Sequence, residues 1–250
     1  MLADRPVMLV TGGSRGIGAA VVRLAAERGH DIVVNYASAA DAAHDVAEQA
    51  RARGGRAIVV QGDVGVEADV VRLFATVDAE FGGIDVLVNN AGIAGGYGTI
   101  DCVDEVMLGR LWAVNVTGPF LCAREAAARM RTDRGGRGGT IVNISSKAAV
   151  LGGSGEWIHY AASKGAIDTL TVGLAKELAT VGVRVNGVRP GLIASDFHQH
   201  APDGRMERIA PTVPMQRAGS PEEVASAVLW LAGPESSYVT GSFIDTAGGR

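Results

Sequence analysis

The sequence predicts an α/β fold, a doubly wound parallel sheet with helices on both faces, in a single domain over residues 1–250. Three observations predict it. Short Val/Ile-rich runs alternate with helix-period segments from end to end. Those runs are continuously apolar, as strands buried on both faces must be. The first of them leads through a glycine-rich turn into a helical segment. Parallel neighbours need right-handed helical crossovers, which makes the expected sheet Rossmann-like.

The elements follow in order. Residues 7–10 (VMLV) form a buried strand, and 16–28 carry helical periodicity. Residues 31–35 are a strand, and 39–53 a helix stopped by Gly54-Gly55. A strand at 57–61, a helix at 67–81 and a strand at 84–88 come next. Residues 108–131 form one long helix, and 140–144 a strand. Helix 160–180, strand 184–188, helix 221–231 and a short strand at 243–245 close the chain.

Composition narrows the function classes. Hydrophobic residues at 47% suffice for a well-buried interior. With 23 basic and 27 acidic residues and no basic run, a nucleic-acid surface is not expected. Cys102 and Cys122 fall in neither a CxxC nor a metal spacing, and fit a reducing cytoplasm as packing residues. No signal-peptide pattern opens the chain. The apolar stretch 224–232 is too short to span a bilayer, so no membrane partner is expected.

The turn after the first strand reads Thr11-Gly12-Gly13-Ser14-Arg15-Gly16-Ile17-Gly18. Glycines let the backbone approach a pyrophosphate, and the following helix start offers free N–H groups and a positive dipole end. An NAD site places an acid at the end of the second strand to bind the ribose 2′-hydroxyl. Here that strand ends Asn35-Tyr36-Ala37-Ser38, with no acid. Arg15 in the loop can pair with a 2′-phosphate instead. The expected cofactor is therefore NADP(H), held by Gly12, Ser14, Arg15, Gly16, Ile17, Gly18 and the 35–38 strand end.

Three further motifs lie downstream: Asn89-Asn90-Ala91-Gly92 after the fourth strand, Tyr160-Ala161-Ala162-Ser163-Lys164 on a helix, and Pro190-Gly191 after the sixth strand. With the glycine loop they resemble the short-chain dehydrogenase/reductase family over the whole chain. Among relatives the chain is similar to 3-oxoacyl-carrier-protein reductases and to sugar or steroid dehydrogenases of this size. The resemblance implies hydride transfer between a nicotinamide and a carbonyl or secondary alcohol. It implies Tyr160 as acid/base, Lys164 on the nicotinamide ribose, Ser146 rather than Ser145 on the substrate oxygen, and Asn115 holding a helix distortion and a water leading to the lysine. It also implies adenine contacts from Asp63 and Val64, ribose contacts around Asn90, Ala91 and Gly92, and nicotinamide contacts from Pro190, Gly191, Ile193 and Ser195. Family members are usually tetramers or dimers.

The residues support that chemistry directly. Tyr160 and Lys164 stand four apart on one helix face. A free phenol titrates near ~10, too high for a good base, and a neighbouring ammonium is expected to lower it. No catalytic metal is implied. Residues 192–213, with His198, His200 and Pro202, resemble the family's mobile segment over the substrate; the histidines, two apart, share no helix face. The rival reading is a non-catalytic NADP-binding sensor, which would need the glycine loop but not Asn115, Ser146, Tyr160 and Lys164. An epimerase of the extended branch would need a larger C-terminal region.

Overall fold

The structure is a computed structural model that describes residues 5–198, 201 and 203–250. Its strands are β1 (Val7–Val10), β2 (Asp31–Tyr36), β3 (Ala57–Gln61), β4 (Val86–Asn89), β5 (Gly139–Ile144), β6 (Val183–Pro190) and β7 (Phe243–Thr246). They pair in parallel in one seven-stranded sheet, in the order β3-β2-β1-β4-β5-β6-β7. The chain winds outward from β1 to one edge, returns, and winds outward again from β4. A crevice therefore opens between β1 and β4 at the carboxyl ends of the strands.

Both sheet faces are buried, for the reason read in the sequence. Met8 and Val10 of β1 face one core; Val7 and Leu9 face the other. The first core is closed by α1 (Gly16–Glu27), α2 (Ala40–Arg51) and α9 (Pro221–Ala232). The second is closed by α3 (Glu67–Phe81), α5 (Gly118–Met130) and α7 (Ile158–Leu178). Phe74, Leu73 and Met130 are fully buried there, and each such side chain stabilises the fold by roughly 1.5–3 kcal/mol. Helix α9 starts sharply because Ser220 and Glu223 form a capping box around Pro221.

Three predicted elements differ from those observed. The long helix 108–131 starts earlier and is not continuous. Asp104 caps Met107 N at 2.8 Å and starts α4 (Glu105–Trp112), and a π-turn at Ala113–Thr117 precedes α5. The run Glu105–Met130, not 224–232, is the one helical stretch among the described residues long and apolar enough to cross a membrane. Here its Leu111, Cys122, Ala126 and Met130 are buried. Strand β6 runs on to Pro190, so the Pro-Gly pair ends the strand itself. Between the short helices α6 (Ala148–Leu151) and α8 (Arg205–Ile209), helix α7 begins two residues before Tyr160, which places Tyr160 in its first turn.

Candidate active site

A cavity of about 780 Å³ occupies the crevice. One end is the glycine loop. Gly12 sits at φ +60°, where a Cβ would lie 2.9 Å from Ala91 Cα. A Cβ on Gly18 would run into the Gly12 carbonyl oxygen and come within 2.6 Å of Asn90 Nδ2. The loop is tied to its surroundings by side chains. Thr11 Oγ1 accepts from Asn90 N at 3.0 Å and Ala91 N at 3.1 Å. Asn90 Nδ2 donates to the Thr11 and Gly12 carbonyls at 2.9 and 3.0 Å. Asn35 Oδ1 accepts from Gly12 N at 3.4 Å, and its Nδ2 donates to Gly62 O at 3.0 Å.

Gly12, Ser14, Arg15, Gly16, Ile17, Asn35, Tyr36, Ala37 and Ser38 line this end of the cavity. Gly18 does not; it lies beneath the loop, where its missing Cβ permits the close packing. The Asn35 side chain, expected to meet a cofactor, is buried and engaged in holding the loop. Arg15 is exposed in extended backbone at the start of α1, and its guanidinium joins no hydrogen bond or ion pair among the described residues.

Asp63, Val64, Asn90, Ala91 and Gly92 line the middle. Asp63 is turned onto its own loop: Oδ1 accepts from Gly65 N at 2.9 Å and Oδ2 pairs with Arg110 at 2.7 Å. Pro190, Gly191, Ile193 and Ser195 line the far wall, where a Cβ on Gly191 would meet Ala247 Cα at 2.8 Å.

Tyr160 and Lys164 lie on the cavity wall at 6% and 4% exposure. Lys164 Nζ donates to Ile144 O at 2.8 Å and stands 5.8 Å from the Tyr160 ring centroid. The Ser146 hydroxyl hydrogen-bonds Tyr160 and accepts from Ala148 N at 3.1 Å. Ser145 also lines the cavity, but its Oγ donates to Asp168 Oδ1 at 2.6 Å. Asn115 sits in the π-turn and does not touch the cavity. Its Oδ1 accepts from Ile93 N at 2.8 Å, and its Nδ2 donates to Ile93 O at 2.9 Å and Ser163 Oγ at 3.1 Å. It thereby clamps the exit of β4 to α7.

The electrostatics correct one expectation. Burial pushes the Tyr160 phenol up to about 12, against a smaller downward pull from the Ser146 hydrogen bond. Burial also pushes Lys164 down to about 8, with the Asp168 carboxylate raising it. The expected lowering of Tyr160 by Lys164 loses to desolvation, because the amine donates to a carbonyl rather than to the phenol.

The segments 151–158 and 192–213 form the other end. Trp157 stacks on Tyr97 at a centroid distance of 5.2 Å and meets Tyr160 in a tilted contact at 4.9 Å, and Phe197 lies 5.5 Å from Tyr160. Glu156 accepts from Arg205 at 2.8 Å and Arg208 at 2.9 Å. These pairs join stretches about fifty residues apart, so no local spacing could reveal them. The one local signal was the glycine run before Trp157: a Cβ on Gly153 would meet the indole Cδ1 at 2.6 Å. Of the segment over this end, His200 and Pro202 lie outside the described residues. Among the described residues no three His, Cys, Asp or Glu side chains come together as metal ligands.

Comparison with known proteins adds the relatives. Residues 12–250 match the family described as enoyl-(acyl carrier protein) reductase. The uncharacterized oxidoreductase YgfF of Escherichia coli K12 is 49% identical over 98% of this chain and 99% of its own. A short-chain type dehydrogenase/reductase from Mycobacterium marinum superposes with a TM-score of 0.92 at 36% identity, covering 98% of this chain and 94% of that one. A blue fluorescent protein from a metagenomic library, solved in complex with NADPH, gives 0.91 at 36% identity over 100% and 99% of the two chains.

Proposed function

The chain belongs to the short-chain dehydrogenase/reductase family of oxidoreductases, and from that premise we propose that it is an NADP(H)-dependent enzyme interconverting a carbonyl compound and a secondary alcohol. The observation that carries the reading is one cavity with two ends. A phenol, a serine hydroxyl and a buried amine converge at one, and the glycine loop bearing the exposed Arg15 forms the other.

The residues fit a dinucleotide. Glycine at 12 and 18 lets the loop pack tightly against Asn90 and Ala91, and Gly12 and Gly16 leave its backbone open to the cavity. Arg15 and Ser38 stand where a 2′-phosphate would be met, with no carboxylate at the end of β2. The solved NADPH complex on the same fold supports that preference. Asp63 and Val64 would bracket the adenine; Asn90, Ala91, Gly92 and Lys164 would hold the nicotinamide ribose; Pro190, Gly191, Ile193 and Ser195 would hold the nicotinamide.

A reduced nicotinamide, when bound, supplies the hydride. The chain's own groups do the rest. Ser146 orients the substrate oxygen beside Tyr160. Held up at about 12, Tyr160 is fully protonated at pH 7 and serves as the acid that protonates the oxygen of the reduced carbonyl. Lys164, at about 8, is mainly an ammonium at that pH and stabilises the phenolate that remains. Asn115 fixes the turn that lets α7 approach β4. A sensor would have no use for a buried amine beside a buried phenol, which ranks the enzyme first.

The same reading makes the protein one cytoplasmic domain that acts on a small carbonyl or alcohol and binds neither nucleic acid nor membrane. It makes a homotetramer or homodimer, with exposed Trp112, Phe120 and Val172 on α4, α5 and α7 as side chains that subunits would cover. The deciding experiment follows NADPH and NADH oxidation across ketones, β-ketoacyl thioesters and sugar lactones. NADPH turnover that vanishes in Tyr160→Phe is expected. Undiminished turnover in that variant, or equal use of NADH, would defeat the corresponding part of the proposal.

A further inference from the structure

We propose that the substrate is a flat, apolar carbonyl compound, an aryl ketone or aryl aldehyde, seated against Trp157 and Phe197 beside Tyr160. The inference rests on the Tyr160-centred reading above and names its substrate class.

Aromatic residues are only 5% of the chain, yet four meet here. Trp157 and Phe197 line the cavity with their centroids 4.9 and 5.5 Å from that of Tyr160. Tyr97 stacks behind Trp157 at 5.2 Å and 30°, which fixes the indole plane. Ring pairs prefer offset or tilted contacts in this range of separations, and a flat substrate ring can join them in the same way, beside the Arg205 guanidinium that lies 4.4 Å from the indole centroid. Leu151, Leu192 and Ile209 add further apolar wall.

Several polar side chains at this end are already engaged, while Ser154 and Asp196 also line the wall. Glu156 is held by Arg205 and Arg208. The Thr212 hydroxyl donates to Ile209 O at 2.8 Å. Lys147 pairs with Asp245 at 2.6 Å. A polyhydroxylated substrate would exchange its water contacts for few replacements, which disfavours it. An aryl ketone brings one polar atom, and that atom meets Ser146 and Tyr160. Its two-electron reduction to the secondary alcohol balances: hydride to carbon from the reduced dinucleotide, proton to oxygen from Tyr160.

The test compares kcat/KM with NADPH for acetophenone and benzaldehyde against a sugar lactone and a β-ketoacyl thioester. Preference for the aryl compounds by about tenfold or more is expected. Phe197→Ala, at the cavity mouth, should raise KM for the aryl ketone by about tenfold with kcat little changed. A binding readout accompanies it: in Tyr160→Phe with NADPH, acetophenone should quench the fluorescence of Trp157. Faster turnover of the lactone or the thioester, lost in Tyr160→Phe, would overturn this inference and leave the proposed function standing. Absence of quenching at millimolar acetophenone would also overturn it. Full activity of Tyr160→Phe would remove both.

Discussion

Lys164 is a cation held at 4% exposure, and replacing it with Met should make the fold more stable while turnover disappears. Its titration, moved from an ordinary 10.5 to about 8, sets the size of the effect. Below pH 8 the amine is charged in both the native and the unfolded chain, and the native state bears the whole desolvation penalty, about 3 kcal/mol at 1.36 kcal/mol per pH unit. Between about 8 and 10.5 the unfolded chain binds more protons than the native one, so stability rises with pH and the penalty fades. The Met side chain matches the stem in length and carries no charge. It leaves the Ile144 carbonyl without its donor, an offset of about 1 kcal/mol at every pH. The variant should therefore exceed the parent by about 2 kcal/mol at pH 7, and that advantage should shrink by about 3 kcal/mol as pH approaches 10.5. Urea unfolding of both proteins at several pH values between 7 and 10 measures the difference, and contributions from other titrating groups cancel in it. A difference that stays flat over that range would refute the reasoning, because it would mean that burial does not perturb the amine.

Other substitutions probe the remaining parts. Arg15→Ala should weaken NADPH binding by about tenfold and leave NADH binding unchanged; equal losses for both would mean that Arg15 does not read the 2′-phosphate. Gly18→Ala places a methyl group against the Gly12 carbonyl and Asn90 Nδ2. It should destabilise the protein by about 1–3 kcal/mol and weaken dinucleotide binding, whereas an unchanged melting temperature would show that the loop can shift freely. Asp168→Asn removes the carboxylate that raises Lys164, so the ammonium is lost at lower pH. The alkaline limb of the kcat/KM profile should then move to lower pH, and a limb that stays in place would separate Asp168 from the amine.

How much was legible in the sequence depended on range. The strands were readable because burial on both faces demands unbroken Val and Ile, as in Ile32-Val33-Val34. The glycine loop and the Tyr160–Lys164 pair were readable because their partners lie within one turn. The π-turn around Asn115 was legible only through the family resemblance, since Ala, Val and Thr continue the apolar pattern through it while the bonds that hold it run to Ile93 and Ser163. Asn35 was assigned to the cofactor because it ends β2; only the fold reveals that its amide is engaged with Gly12 and Gly62. The Glu156–Arg205 pair and the ring cluster depend on two loops that meet across the cavity mouth, which no sequence period encodes.

The strand order has a consequence for how this protein comes into being. The two ends of the cavity are built in sequence during synthesis, first by β1 to β3 and then by β4 to β6. The glycine-loop end can be assembled from the first hundred residues, since Asn90 and Ala91 complete it. The wall at Pro190 and Gly191 needs β6, whose neighbour in the sheet is β5, laid down some forty residues earlier. Such distant pairings close late, because the loop between them must be ordered before any contact forms. A nascent chain can thus complete the glycine-loop end of the cavity before the Pro190 wall exists, and the two ends face each other only once β6 has joined the sheet.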